Sequence, residues 1–387
     1  MNSSRIRISP LLALMAFFLT VFAAQAVTPP TPSVNARAYV MMDYNTGHII
    51  ASENADQLHG PASLVKMMTS YIIGRELKAG TISLDDTVTV SRNAWARNFP
   101  GSSLMFIEVG REVQVADLNR GIIIASGNDA CVAMAEHIAG TEDGFVNLMN
   151  AYARELGMTN TTFSNSHGLT SEGQTTTARD MAILARALVR DVPNQHALYS
   201  EREFTYNGIR QYNRNSLLWD RALNVDGLKT GYTSESGYHL VTTAVDGDTR
   251  LITVVLGTNS ETVRAAESKK LLNYGFRYYE TVKAYSAGEK LASQRIWGGS
   301  SDEIELGTAD DVVVTLPRGQ RQNVRANFVL DQSLDAPLAA GETVGQVNLT
   351  LNGEDIASFP LVTLTAVDQG GFFKRIMDSI KKSFSDE

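Results

Sequence analysis

Residues 238–256 read YHLVTTAVDGDTRLITVVL. Two apolar, β-branched runs, 238–246 and 249–256, meet at Asp246-Gly247-Asp248. That pattern predicts two paired strands joined by a tight turn. Toward the N-terminus, residues 38–52 give a second hairpin: AYVMMDY, a turn at Asn45-Thr46-Gly47, then HIIAS. Between the hairpins the spacing becomes helical. A helix opens near Pro61 and runs through SLVKMMTSYIIGREL, and Pro suits a first helical turn. Further helices fall at about 115–125, 129–139, 142–156, 178–190 and 264–279, with Gly157 placed to stop the 142–156 helix. Strands at both ends with helices between predict one α/β (α+β) unit. Its flanking strands share an antiparallel sheet against a helical cluster.

From about residue 286 helical periodicity disappears. Short alternating runs take over at 312–316, 324–330, 344–351 and 356–367, with Asn352-Gly353 as a hairpin turn. A small all-β domain over 286–367 is expected. The tail, 368–387, contains FFKRIMDSIKKSF. Phe373, Ile376, Met377, Ile380 and Phe384 share one helical face, and Lys374, Arg375, Lys381 and Lys382 lie off it. Residues 371–384 carry four bases and one acid, Asp378. A basic amphipathic helix suits an anionic membrane surface, with docking on the β domain as the alternative. Gly370-Gly371 is expected to act as a flexible joint before it.

At the other end, Arg5 and Arg7 precede an apolar stretch from Leu11 to Ala24 and the small-x-small site Ala24-Gln25-Ala26. This is the layout of a secretory signal peptide over residues 1–26. The run is short for a transmembrane span, which needs about 20 apolar residues. The main unit is then 27–285, exported to the periplasm or cell exterior.

The chain has 387 residues, 43% hydrophobic and 20% charged, with net charge −8. This excludes a disordered or collagen-like chain. Acidity argues against nucleic acid as a partner. The one cysteine, Cys131, excludes an intramolecular disulfide and a Cys-based zinc site. The six histidines form no metal-ligand spacing, and no nucleophile elbow or phosphate loop is present.

Three short motifs remain: Ser63-Leu64-Val65-Lys66, Ser126-Gly127-Asn128 and Lys229-Thr230-Gly231. The first two patterns recur at Ser379, Ser33 and Ser91, so context separates signal from decoy. Ser63 sits at a helix start, Ser126 where two helices meet, and Lys229 ahead of a strand pair. Residues three apart on a helix face the same way, so the Lys66 amine can reach the Ser63 hydroxyl. To act as a base the amine must be neutral, which burial and a second cation, Lys229, would favour. The Ser63 and Tyr232 backbone N–H groups could form an oxyanion hole.

With these motifs go PASLVKMMTSYIIG, SGNDACVAMA, HGLTSEGQ, NRNSLLWD, LNVDGLKTG and RAAESKKLLNYGFR. Together they resemble the low-molecular-mass penicillin-binding proteins, the D-alanyl-D-alanine carboxypeptidases of the penicillin-binding protein 5 and 6 group (serine peptidase S11-like). The likeness runs over nearly the whole chain. It implies a serine β-lactamase/transpeptidase-like catalytic domain, followed by the β domain and an anchoring tail helix. Ser63 would be the acylated nucleophile, Lys66 its general base and Ser126 a proton relay. Asn128 would hold the substrate amide. Lys229, Thr230 and Arg264 would meet the terminal carboxylate, with Gly231 and Tyr232 beside them and Arg214 near the cleft. The substrate implied is the peptidoglycan pentapeptide stem, with β-lactams as inhibitors. No metal or organic cofactor is implied. The implied location is the periplasmic face of the bacterial inner membrane.

Three positions depart from close relatives: Tyr232 stands where His or Thr is expected, Val65 replaces a usual Thr, and the loop SRNAWARNFP is shorter. An endopeptidase or β-lactamase on the same site is the nearest rival, although the E-x-x-L-N segment of a class A β-lactamase is missing between the second and third motifs. A wall-binding protein with a vestigial site is the rival of another class.

Overall fold

The structure is a computed structural model, and it describes residues 29–385. The export signal expected at 1–26 lies outside the described residues. The first unit is built on an antiparallel sheet in the order β2-β1-β10-β9-β7, with β8 also on β9. Its strands are β1 (Ala38–Asp43), β2 (Ile49–Glu53), β7 (Asn224–Gly227), β8 (Thr230–Thr233), β9 (Gly237–Asp246) and β10 (Thr249–Thr258). Two small hairpins lie outside this sheet: β3 (Thr87–Thr89) with β4 (Glu112–Gln114), and β5 (Glu203–Tyr206) with β6 (Ile209–Tyr212). The hairpin expected at 238–256 is β9–β10, with Thr249 opposite Asp246. Pairing of β1 with β10 puts the two ends of the unit side by side, as the sequence predicts.

The strands are apolar on both faces because both faces are covered. Val40, Met42, Ile252 and Val254 point into the helical cluster. Their alternates Tyr39, Met41, Leu251 and Val255 point the other way. The first side is packed by α1 (Val65–Ala79), α2 (Val115–Arg120), α3 (Asn128–Ala139), α4 (Glu142–Glu155), α5 (Ala178–Asp191) and α6 (Pro193–Ala197). The second is covered by α7 (Glu261–Tyr278), through Leu271, Leu272 and Tyr274. α1 is buried on every side from Val65 to Gly74, Lys66, Thr69 and Ser70 included, so it carries no single apolar stripe.

Two expected helix ends move. The helix expected at 115–125 is α2 followed by a π turn over Gly121–Ala125. The helix expected at 264–279 begins at Glu261, where the Ser260 hydroxyl caps the Val263 N–H. Tyr279 already belongs to a strand.

The second unit contains β11 (Tyr279–Tyr285), β12 (Ala292–Trp297), β13 (Glu303–Gly307), β14 (Val312–Pro317), β15 (Val324–Leu330), β16 (Leu334–Asp335), β17 (Thr343–Leu351) and β18 (Glu354–Thr363). β11 pairs with β14, and six strands form a sheet in the order β15-β17-β18-β13-β12-β16. Its core includes Ile296, Ile304, Val312, Leu316, Val347 and Leu361. The units touch where the Asp43 carboxylate accepts from the Thr281 hydroxyl and where Thr46 meets Thr315 at 2.6 Å.

The tail forms α8 (Phe372–Ser385). It docks on the β unit through its polar side. Asp378 is 4% exposed, and its carboxylate accepts from the Gly298 N–H at 3.1 Å. Lys374 pairs with Asp302, and Lys382 with Asp335 at 2.6 Å. The apolar side faces solvent: Phe373 is 82% exposed and Phe384 77%. Gly370 is a packed position rather than an open joint. Its N–H donates to Gly298 O at 2.8 Å, and a Cβ there would meet Gly299 O at 2.5 Å. No helix among the described residues is long and apolar enough to cross a membrane.

Candidate active site

Ser63 lies in a short 3-10 turn, Ala62–Leu64, that leads into α1. Ala62 holds a left-handed φ of 49°, so the backbone is forced at the residue before the serine. Gly168 explains how the neighbouring loop comes so close: a Cβ there would meet Ala62 O at 1.9 Å. Only glycine fits. The second motif arrives on a comparable irregularity. The π turn ends at Ser126, which has φ 61°, and α3 begins at Asn128. The Ser126 hydroxyl is buried and has no hydrogen-bond partner among the described residues. The third motif enters on β8, which runs beside β9 at the sheet edge.

These pieces meet in one cleft of about 580 Å³. Ser63, Ser126, Asn128, Arg214, Thr230, Gly231, Tyr232 and Arg264 all line it. Lys66 and Lys229 lie buried beneath. Every site residue expected from the sequence is therefore at one place.

The Lys66 amine is the centre of the arrangement. Its Nζ lies 3.3 Å from Ser63 Oγ and 2.7 Å from Asn128 Oδ1, and it also donates to His167 O. Two of those three partners are carbonyls, which can only accept. A neutral amine that gives its two hydrogens to the carbonyls keeps its lone pair for Ser63. The serine hydroxyl then donates to that lone pair. Burial is what makes the neutral form accessible. It lowers the Lys66 pKa to about 8, and Arg214 pushes the same way against Cys131 and Asp129. Lys229 is also held well below its ordinary value, first by burial and then by Lys66, Arg214 and Arg264. The cation that lowers Lys66 is thus Arg214 rather than the expected Lys229, although Lys66 in turn lowers Lys229.

The guanidinium groups of Arg214 and Arg264 are likewise depressed by burial. Arg264 donates to Gly231 O at 3.4 Å and lies 3.5 Å from Glu261, whose side chain is mostly exposed. Arg214 donates to Ser103 Oγ at 2.6 Å. A buried cluster of cations with one exposed carboxylate beside it favours an anionic ligand. Tyr232 is half-exposed at the rim and stacks on Tyr238 with ring centroids 4.2 Å apart. The side chain that replaces the expected His or Thr is thus directed onto a neighbouring ring.

Several contributors escaped sequence reasoning. The His167 carbonyl is main chain, so no residue type announces it. Ser102 accepts from Asn128 Nδ2 at 2.8 Å, and only its place in GSSLMF hinted at the cleft. The His167 ring is pushed down to about 3 by burial and by Lys66. It is neutral, and its 3.7 Å approach to Glu142 is not an ion pair at ordinary pH.

Comparison with known proteins agrees with this geometry. Residues 23–260 match the family model described as D-alanyl-D-alanine carboxypeptidase, peptidase S11. Residues 279–369 match the penicillin-binding protein 5 C-terminal domain. The chain is 50% identical over 375 residues to D-alanyl-D-alanine carboxypeptidase DacC of Escherichia coli, covering 96% of this chain and 94% of that protein. Its fold is similar to the crystal structure of penicillin-binding protein 5 from Haemophilus influenzae, with TM-score 0.85 and 48% identity over 89% of this chain and all of that one. Penicillin-binding protein D2 of Listeria monocytogenes, solved with ampicillin bound, matches with TM-score 0.58 and 28% identity over 64% of this chain and all of that one. Three motifs in one cleft, on the sheet and helices these relatives share, make the chain a member of the D-alanyl-D-alanine carboxypeptidase family.

Proposed function

We propose that the protein is a serine D-alanyl-D-alanine carboxypeptidase acting on peptidoglycan pentapeptide stems, with Ser63 as nucleophile. The observation that carries this is the Lys66 amine, whose two carbonyl partners leave its lone pair for the serine. Ser63 Oγ attacks the carbonyl between the two terminal D-alanines, and its proton passes to Lys66. Collapse breaks the peptide bond. The departing D-alanine amine takes a proton from Lys66 through Ser126, a residue that lines the cleft and whose hydroxyl has no partner among the described residues. Water then hydrolyses the acyl-enzyme, with Lys66 again taking the proton. Asn128 holds the substrate amide. Arg264, Lys229 and Thr230 receive the terminal carboxylate, with Gly231 and the Tyr232 backbone forming the adjoining wall and Arg214 adding positive charge. β-Lactams present a reactive amide to the same serine.

The same reading assigns residues 1–26 to export, 27–285 to catalysis, 286–367 to the β domain and 368–387 to the anchor. β11, read from the sequence as the end of the catalytic unit, pairs with β14 and places Val282 in the β unit's core, which moves the join back from 286 to Tyr279. The outward apolar face of α8 supports an address on the periplasmic surface of the inner membrane, held peripherally through residues 371–384.

Intact-protein mass spectrometry after benzylpenicillin treatment tests the assignment. One adduct is expected on the wild type and none on Ser63→Ala. An adduct that persists in Ser63→Ala overturns it. Release of free D-alanine from a pentapeptide separates this reaction from an endopeptidase or a wall-binding role.

A further inference from the structure

The residue after Asn128 is an acid that forms no ion pair among the described residues, although Lys66 feels its charge. Asp129 is fully buried, and its carboxylate gathers consecutive backbone amides from a distant loop. Oδ1 accepts from Met105 N at 2.8 Å. Oδ2 accepts from Phe106 N at 2.8 Å and Ile107 N at 3.1 Å. Oδ1 also takes the Ala130 N–H at 3.0 Å. Phe106 has a left-handed φ of 69°, a conformation a phenylalanine avoids unless its surroundings impose it. Three amides point at one carboxylate only because the chain turns this way.

The segment just ahead of those amides is the cleft rim. Asn128 N donates to Ser103 O at 2.8 Å, and Gln211 Nε2 to Leu104 O at 3.0 Å. Ser102 donates its single hydroxyl proton to Phe99 O at 2.8 Å. It can therefore only accept from Asn128, and it does so from Nδ2 at 2.8 Å. This fixes which end of the amide faces which way. Nitrogen turns to Ser102, and Oδ1 turns to Lys66 Nζ at 2.7 Å. Ser103 meanwhile receives Arg214.

We propose that Asp129 is a positioning residue for the reaction. It holds the 101–107 loop so that Ser102 orients the Asn128 amide with its oxygen on Lys66, while Ser103 seats Arg214. Without that rim the amide is free to turn. Its NH₂ would then donate into the Lys66 lone pair and compete with the Ser63 hydroxyl. The inference rests on reading Lys66 as the base and Ser63 as the nucleophile.

The charged and titratable groups facing Lys66 are Asp129 and Cys131 on α3, His167 on its loop, Arg214, and Lys229 ahead of β8. Asp129→Asn removes one of these charges as well as reshaping the loop. Ser102→Ala changes no charge, so it isolates the orientation effect. The experiment measures the acylation rate of the full chain by benzylpenicillin across the Lys66 titration, for wild type and both variants. A plateau loss of about fivefold to tenfold is expected in each, the equivalent of one hydrogen bond. The rising limb should also move to lower pH, because a donor in place of a carbonyl disfavours the ammonium form. Ser102→Ala that acylates at the wild-type rate, or loses rate with an unmoved limb, overturns the proposal. An Asp129→Asn variant that acylates like the wild type overturns the part given to Asp129; should that variant fail to fold, Asp129→Glu, which keeps the charge but shifts the carboxylate off the loop amides, is measured in its place. Wild-type acylation in the same series keeps a failure here distinct from a failure of the Ser63 assignment.

Discussion

At the scale of residues, the chemistry follows from which atoms surround one buried amine. Lys66 is neutral only to the extent that the protein withholds water from it, and its pKa of about 8 follows from that burial. The sign of the consequence is fixed. Below about 8 the ammonium form predominates and has no lone pair for Ser63; above it the base is present. β-Lactam acylation should therefore rise with pH through about 8, tenfold per unit well below the midpoint. Stopped-flow acylation across that range checks this, and a rate that is flat through it would remove Lys66 as the titrating base. Stability moves the same way. A lysine with a lowered folded-state pKa opposes folding fully below about 8. That opposition is relieved between there and the ordinary lysine value of about 10.4. The Ser63–Lys66 pair was legible in the sequence because helical spacing alone brings residues three apart together. The partners that tune it were not. A main-chain carbonyl at His167 and a hydroxyl at Ser102 reach the site through loop paths that no local pattern encodes.

At the scale of elements, legibility tracks burial. The β9–β10 hairpin could be read because both faces are covered and its runs are apolar. β12 and β13 could not. ASQRIW and EIELG alternate charged and apolar residues on half-exposed strands and carry no strong signature. β11 was obscured because aromatic residues near its start, Tyr278 and Tyr279, continue the spacing of α7. The tail helix shows the converse. Its apolar face was plain in the sequence and docking was the named alternative, but docking through the polar side was not legible, because that depends on one acid meeting a distant amide. Asp378 satisfies Gly298 N–H and lies 3.7 Å from Arg295 and 3.4 Å from Lys374. A helix this short is marginal by itself in water. Asp378→Ala should undock it, raising hydrogen exchange of the 372–384 amides about tenfold or more, since loss of a charged, buried hydrogen bond exceeds a single neutral one. Exchange unchanged from wild type would show that the lysine pairs with Asp302 and Asp335 suffice.

At the scale of the whole molecule, chemistry and address occupy separate parts. All the groups that line or underlie the cleft fall between Ser63 and Arg264. α8 packs on the β unit, with β12 its main neighbour. Deleting residues 370–387 should therefore leave D-alanine release from a soluble pentapeptide at the wild-type rate, while sedimentation with anionic lipid vesicles is lost. The salt dependence of vesicle binding follows from the docking. Lys374 and Lys382 already face Asp302 and Asp335, so much of the tail's positive charge is answered within the protein. What α8 presents outward is chiefly Phe372, Phe373, Ile376, Met377, Ile380 and Phe384. Apolar burial is not screened by salt, whereas attraction between exposed charges falls off over a Debye length of about 8 Å at physiological ionic strength. Vesicle binding of the full chain should therefore weaken only about twofold or threefold between low and physiological salt, less than four unanswered bases would give. A collapse of binding over that range would mean that the basic residues leave the β unit to meet the lipid; co-sedimentation of the truncated chain would mean that another surface holds the membrane.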